Sequence, residues 1–170
     1  MRKSLVATVA VAGALAAAVI SPAVSNAADT LVTFTVATGP ISITANPAAA
    51  LIVSGSQATG GITPVTVADL RLGVSNWNAS AVSTAFTKAL PNALTIPATS
   101  VLYAGTTAVV TGTATVAAAA SQAIDATKVV QAATSVSGAN TATWTGNLTV
   151  NLPSNVIAGV YTGTVTHSVA

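Results

Sequence analysis

Chemistry in this sequence would have to come from very few side chains. There is one histidine, His167, three aspartates (Asp29, Asp69 and Asp125), and neither cysteine nor glutamate. A Ser–His–Asp triad can be written from His167, Asp69 or Asp125 and one of many serines, but no G-x-S-x-G turn accompanies it. A His/Cys zinc site has no local motif, and three scattered aspartates make no calcium loop. No two carboxylates stand at a spacing that suggests acid/base work. This inventory predicts a protein that is not an enzyme and carries no metal or other cofactor.

Two places still need a reading. In "VADLR", Asp69 and Arg71 stand two apart, so on a strand they share a face with Val65 and Val67. They could be a ligand-binding pair; the preferred reading is an ion pair that fixes register or closes a sheet edge, since isolated pairs are usually structural or neutral. In the closing "VYTGTVTHSVA", Tyr161, Val165, His167 and Val169 point one way, and Thr162, Thr164, Thr166 and Ser168 the other. A lone histidine on the apolar side lacks the partners that a base or ligand needs, so His167 reads as a packing and hydrogen-bonding group. The tripeptides at Asn78 and Asn147 match the glycosylation pattern, and chance accounts for them in a chain so rich in Asn, Ser and Thr.

The elements that must position these residues read as short strands. "TLVTFTVA" alternates with Val32, Phe34 and Val36 on one face, and "ISITA" does so with Ile41 and Ile43. "GSQATGG" reads as a flexible connection before "TPVTVADLR". "SNWNASAV", "NALTIP", "TAVVTGTATV", "TKVVQAATSV", "TATWTGNLTVNL" and the closing stretch follow as strands. In "TATWTGNLTVNL", Ala142, Trp144, Gly146, Leu148, Val150 and Leu152 share a face, which makes Trp144 a core anchor. "ATVAAAASQAIDATK" is ambiguous and is expected to be a loop or brief helix. The pattern predicts an all-β fold, an antiparallel β-sandwich of Greek-key type.

Arg2 and Lys3, the apolar run Leu5 to Ile20, and the small residues Ser25 and Ala27 form a secretory leader, residues 1–27, with cleavage expected between Ala27 and Ala28. Residues 28–170 are then one domain. It keeps Arg71, Lys88 and Lys128 against Asp29, Asp69 and Asp125, a net charge of zero. No basic patch remains for nucleic acid, and no basic amphipathic helix for a membrane surface once the leader is gone. Without cysteine, an exported domain must be held by its core.

In order along the chain, "VTVADLR…NWNASAVSTAF", "ALTIPATSVLYAGTT" and "NTATWTGNLTVNLPSNVIAGVYTGTVTHSVA" resemble the WxL-domain group of bacterial cell-surface proteins, and especially its short secreted actinobacterial members. The two Trp-x-Leu motifs that name the family are degenerate: the first place reads Trp77-Asn78-Ala79 and the last His167-Ser168-Val169. The resemblance implies a β-sandwich on the outside of Gram-positive cells, bound noncovalently to peptidoglycan or another wall glycan. It places Trp77 and His167 at motif positions that could contact the wall; Trp144, Tyr161, Asp69 and Arg71 read as structural from their own strand patterns. The expected function is therefore that of a secreted, noncatalytic surface protein. The alternative is a structural subunit that assembles with itself or with other surface proteins through exposed strand edges.

Overall fold

The computed structural model describes residues 31–170, so the leader and its cleavage site lie outside the described residues. The chain divides into two units, Met1–Thr35 and Val36–Ala170, and every described strand belongs to the second. Of the expected strand over residues 30–37, the described part, 31–37, is not formed. Residues 31–40 pair with no strand, and Leu31, Val32 and Phe34 are exposed, as is Val36 just beyond. Alternation alone makes no strand where no neighbour supplies a ladder.

The second unit is all-β. Its strands are β1 (Ile41–Ala45), β2 (Ile52–Ser54), β3 (Gln57–Asp69), β4 (Trp77–Ser83), β5 (Phe86–Lys88) and β6 (Leu94–Ile96). A single 3₁₀ turn, Ala98–Ser100, leads into β7 (Val101–Gly105), β8 (Val109–Ala118), β9 (Gln122–Ala123), β10 (Lys128–Asn151), β11 (Tyr161–Thr162) and β12 (Val165–Val169). Every pairing is antiparallel. Nine strands form one sheet along the path β1-β3-β10-β4-β12, with β2 on β3, β7 and β8 on β10, and β9 on β7. β12 lies beside β1 without a ladder between them, so this sheet nearly closes on itself. The other sheet is small, in the order β11-β5-β6.

β10 is the spine, and its composition explains why. Its second half alternates without a break, burying Ala142, Trp144, Gly146, Leu148 and Val150 between outward Thr and Asn residues. Its first half pairs with β4, its second with β3, while β8 and β7 take the opposite edge in turn. Two register shifts against β8 mark the place where β10 changes partners, at Ser135 (φ 53°) and Gly138 (φ 70°).

Three further segments differ from the sequence reading. "GSQATGG" is not a flexible connection: Gln57 to Gly61 continue β3 and pair with β10 and β2. The glycines hide the alternation because neighbours use their space, Leu51 crossing over Gly60 with its Cδ2 2.7 Å from where a Cβ would stand. The alanine-rich stretch contains no helix; β8 runs on to Ala118, and β9 ends beside Ile124, which is fully buried. The closing strand is interrupted at Gly163, so that Tyr161 joins the small sheet and His167 the large one.

Candidate functional site

The residues that could do chemistry gather at two centres, each built around a tryptophan. At the first, Trp144 on β10 is buried and its Nε1–H donates to the hydroxyl of Tyr103 on β7, at 3.0 Å. Tyr103 leans over Gly146, where a Cβ would overlap its ring and hydroxyl, so the glycine in an otherwise perfect alternation is required. His167 reaches the same hydroxyl from β12, with Nε2 3.2 Å away and the two rings edge to face at 5.7 Å between centroids. Indole N–H can only donate, so it occupies a lone pair of the tyrosine oxygen. The phenol keeps its hydrogen and a second lone pair, so it donates to Nε2 or accepts from it according to the histidine tautomer. Burial favours the neutral imidazole by holding His167 below its ordinary value, and burial pushes the Tyr103 phenol up despite the Trp144 hydrogen bond.

At the second centre, Trp77 on β4 is 1% exposed and donates its Nε1–H to Asn140 Oδ1 at 3.2 Å. Asn140 pairs with Asp69 across the β10–β3 ladder. Asp69 is fully buried, and Arg71 folds back onto it from just beyond β3, with Nε 2.9 Å from Oδ1 and Nη2 3.0 Å from Oδ2. The Arg71 backbone N–H also donates to Oδ1, and Nη2 reaches the carbonyls of Ser75 and Asn76. The Arg71 side-chain hydrogen bonds hold the Asp69 carboxyl below its ordinary value, against desolvation, which works the other way. The guanidinium thus ties the end of β3 to the loop entering β4.

The two centres have no carboxylate in common with the histidine. His167 has Tyr103 as its partner, Asp69 has Arg71, and Asp125 is exposed. No group of three His, Cys, Asp or Glu side chains able to hold a metal occurs among the described residues. Trp77 presents no face to a polymer, and of its two expected positions, contact or packing, its geometry is that of a packed side chain. Tyr161 is half-buried on the small sheet, and its hydroxyl donates to the Ile157 carbonyl at 2.9 Å. Two members of these centres escaped the sequence reading. Tyr103 could have been found from Gly146, which calls for a bulky neighbour; Asn140 sits in "SGANT" and reads as a turn residue.

The outer face of the same strands is different in kind. Thr44, Thr66 and Thr143 lie in one row across β1, β3 and β10, and Ser42, Ala68 and Thr141 in the next. Thr111 of β8 stands opposite Thr141. Towards the other end, Thr63, Thr59 and Gln57 continue the face on β3, and Thr145, Asn147, Thr149 and Asn151 on β10. Some of these groups bond to one another: Thr66 and Thr143 hydroxyls at 3.0 Å, Thr145 to Thr63 at 3.0 Å, and Gln57 Nε2 to Asn151 Oδ1 at 2.9 Å. The result is a sheet of hydroxyl and amide groups without a charge among them.

Comparison with family models, curated proteins and solved structures finds no match to this chain. No helix among the described residues is long and apolar enough to cross a membrane.

Proposed function

We propose that this is a secreted, noncatalytic cell-surface protein, folded as an antiparallel β-sandwich of Greek-key type, that associates noncovalently with peptidoglycan or another wall glycan. The observation that carries the reading is the uncharged hydroxyl and amide face of β1, β3 and β10. A glycan offers hydroxyls and amides, and such a face exchanges hydrogen bonds with them directly or through shared waters. Neutral groups do so without the desolvation cost that a charged site imposes. The tryptophans are consumed in packing, so recognition rests on this face rather than on exposed aromatic platforms. The resemblance to WxL-domain proteins points to the same polymer. Co-sedimentation with isolated Gram-positive peptidoglycan, with soluble wall glycan as competitor, tests it. The protein is expected to pellet with the wall and to be released by the competitor; protein that stays in the supernatant overturns the reading.

A further inference from the structure

Two apolar surfaces are left unmatched in the described chain, and they suit each other. One is the segment Leu31–Val36, in which Val32, Phe34 and Val36 alternate with threonines, as a half-buried strand would. These three side chains are 79%, 85% and 65% exposed. The other is a cleft of about 440 Å³ between the large and small sheets. Leu51 and Val53 line it on one side, Phe86 and Ile96 on the other, and Val150 and Leu152 at the end of β10. Ile96 and Val150 are core residues, so the cleft opens directly into the hydrophobic interior. On its rim, Val53 is 64% and Val160 80% exposed. β2, which carries Val53, pairs with β3 on one edge only, leaving the other edge's backbone groups without a strand among the described residues.

The segment and the cleft lining contain no charged residue. Chain length settles whose segment can enter. Gly39 is fixed to Leu70, at the far end of β3, by its N–H to the Leu70 carbonyl at 3.1 Å. Ala58, beside the cleft, lies twelve residues back along the same strand, roughly 40 Å away at strand rise. Phe34 is five residues from Gly39 and can reach about 17 Å. The segment of the same molecule therefore falls short.

We propose that Leu31–Val36 of one molecule enters this cleft on a second copy and adds a strand to the open edge of β2, so that the protein assembles head to tail. Main-chain hydrogen bonds to β2 would hold the segment, while Val32, Phe34 and Val36 complete the core between the sheets. Because donor segment and acceptor cleft are different surfaces, the contact is heterologous and propagates from copy to copy, into open chains or closed rings. It goes beyond association with the wall and does not rest on it.

The chain has no cysteine, so introduced pairs report without background. The full chain carrying both Phe34→Cys and Val53→Cys, oxidised and run without reductant, is expected to give a ladder of linked oligomers that collapses on reduction. A monomer closed on itself by a disulfide overturns the proposal, and so does the absence of any cross-link. Sedimentation velocity on the parent, without cysteines, provides the second test. Oligomers that grow with concentration, and that Phe34→Asp abolishes at unchanged melting temperature, are expected. Mixing Phe34→Asp with Val53→Asp protein should then yield heterodimers and nothing longer, because each variant retains the half the other lacks. Oligomers that persist in Phe34→Asp, or a parent that is monomeric throughout, overturn it.

Discussion

β10 has two faces, one residue apart, that use polar groups in opposite ways. Inward, the polar side chains of its second half have committed partners: Trp144 has Tyr103, and Tyr103 has His167. Asn140, at the near end of the same face, holds Trp77 beside the Asp69–Arg71 pair. Outward, Thr141, Thr143, Thr145, Asn147 and Thr149 are uncharged hydroxyls and amides, of which Thr143 and Thr145 bond to neighbouring threonines on β3. A buried group that loses its partner costs about 1–3 kcal/mol, whereas water replaces a lost partner at the surface. Stability therefore depends on the inner face, and the proposed contact with the wall would fall to the outer one.

Substitutions can break that contrast. Trp144→Ala and Trp77→Ala each empty a large core site and should cost about 3–5 kcal/mol in thermal or urea unfolding. Wall association should fall only as the folded fraction falls. A Trp144 variant with an unchanged melting temperature that no longer pelleted with the wall would move Trp144 to the contact surface. Asp69→Ala strands a guanidinium whose side chain is 26% exposed and should cost on the order of 3 kcal/mol. Tyr103→Phe leaves the Trp144 N–H and His167 Nε2 without their shared partner, for about 1–3 kcal/mol.

The two inner centres also separate by pH. Burial lowers the His167 pKa, so the folded chain binds fewer protons than the unfolded chain just below the ordinary value of about 6.5. Its contribution is complete above that value and declines as pH falls, until the folded imidazole itself protonates. Asp69, held low by Arg71, contributes above the ordinary carboxylate range and is lost only as pH falls through its own lower pKa. Urea unfolding across the acid range should show both losses in the parent and only the more acidic one in His167→Phe. Equal slopes near pH 6 in both proteins would mean that the folded state does not hold His167 neutral.

Much of the inner face was legible because its pattern is local. The alternation around Trp144, the shared face of Val65, Val67 and Asp69, and the sidedness of the closing strand follow from a two-residue period. What escaped depends on contacts between distant residues. Tyr103 meets His167 across a separation of 64 residues, and Asn140 becomes a core residue because Trp77, 63 residues away, needs an acceptor. Gly60 and Gly61 concealed half of β3, since their meaning is set by the side chains that cross them. Leu31–Val36 had the converse problem, a strand pattern that no ladder among the described residues takes up. The outer hydroxyl rows were visible one strand at a time, but their joining into a face requires the register of β1, β3 and β10.

The smallest stability effect should accompany the largest loss of binding, and that contrast supports the most direct measurement. Thr66→Val and Thr143→Val remove two outward hydroxyls that bond only to each other at 3.0 Å, and together should shift stability by no more than about 1 kcal/mol. Thr143→Glu additionally places a charge within the neutral face. Co-sedimentation with isolated peptidoglycan, run beside thermal melts of the same samples, is expected to show weakened association for the valine pair and none for Thr143→Glu, each protein folded. Undiminished pelleting by a folded Thr143→Glu protein would show that the wall is met elsewhere and would overturn the assignment of recognition to this face.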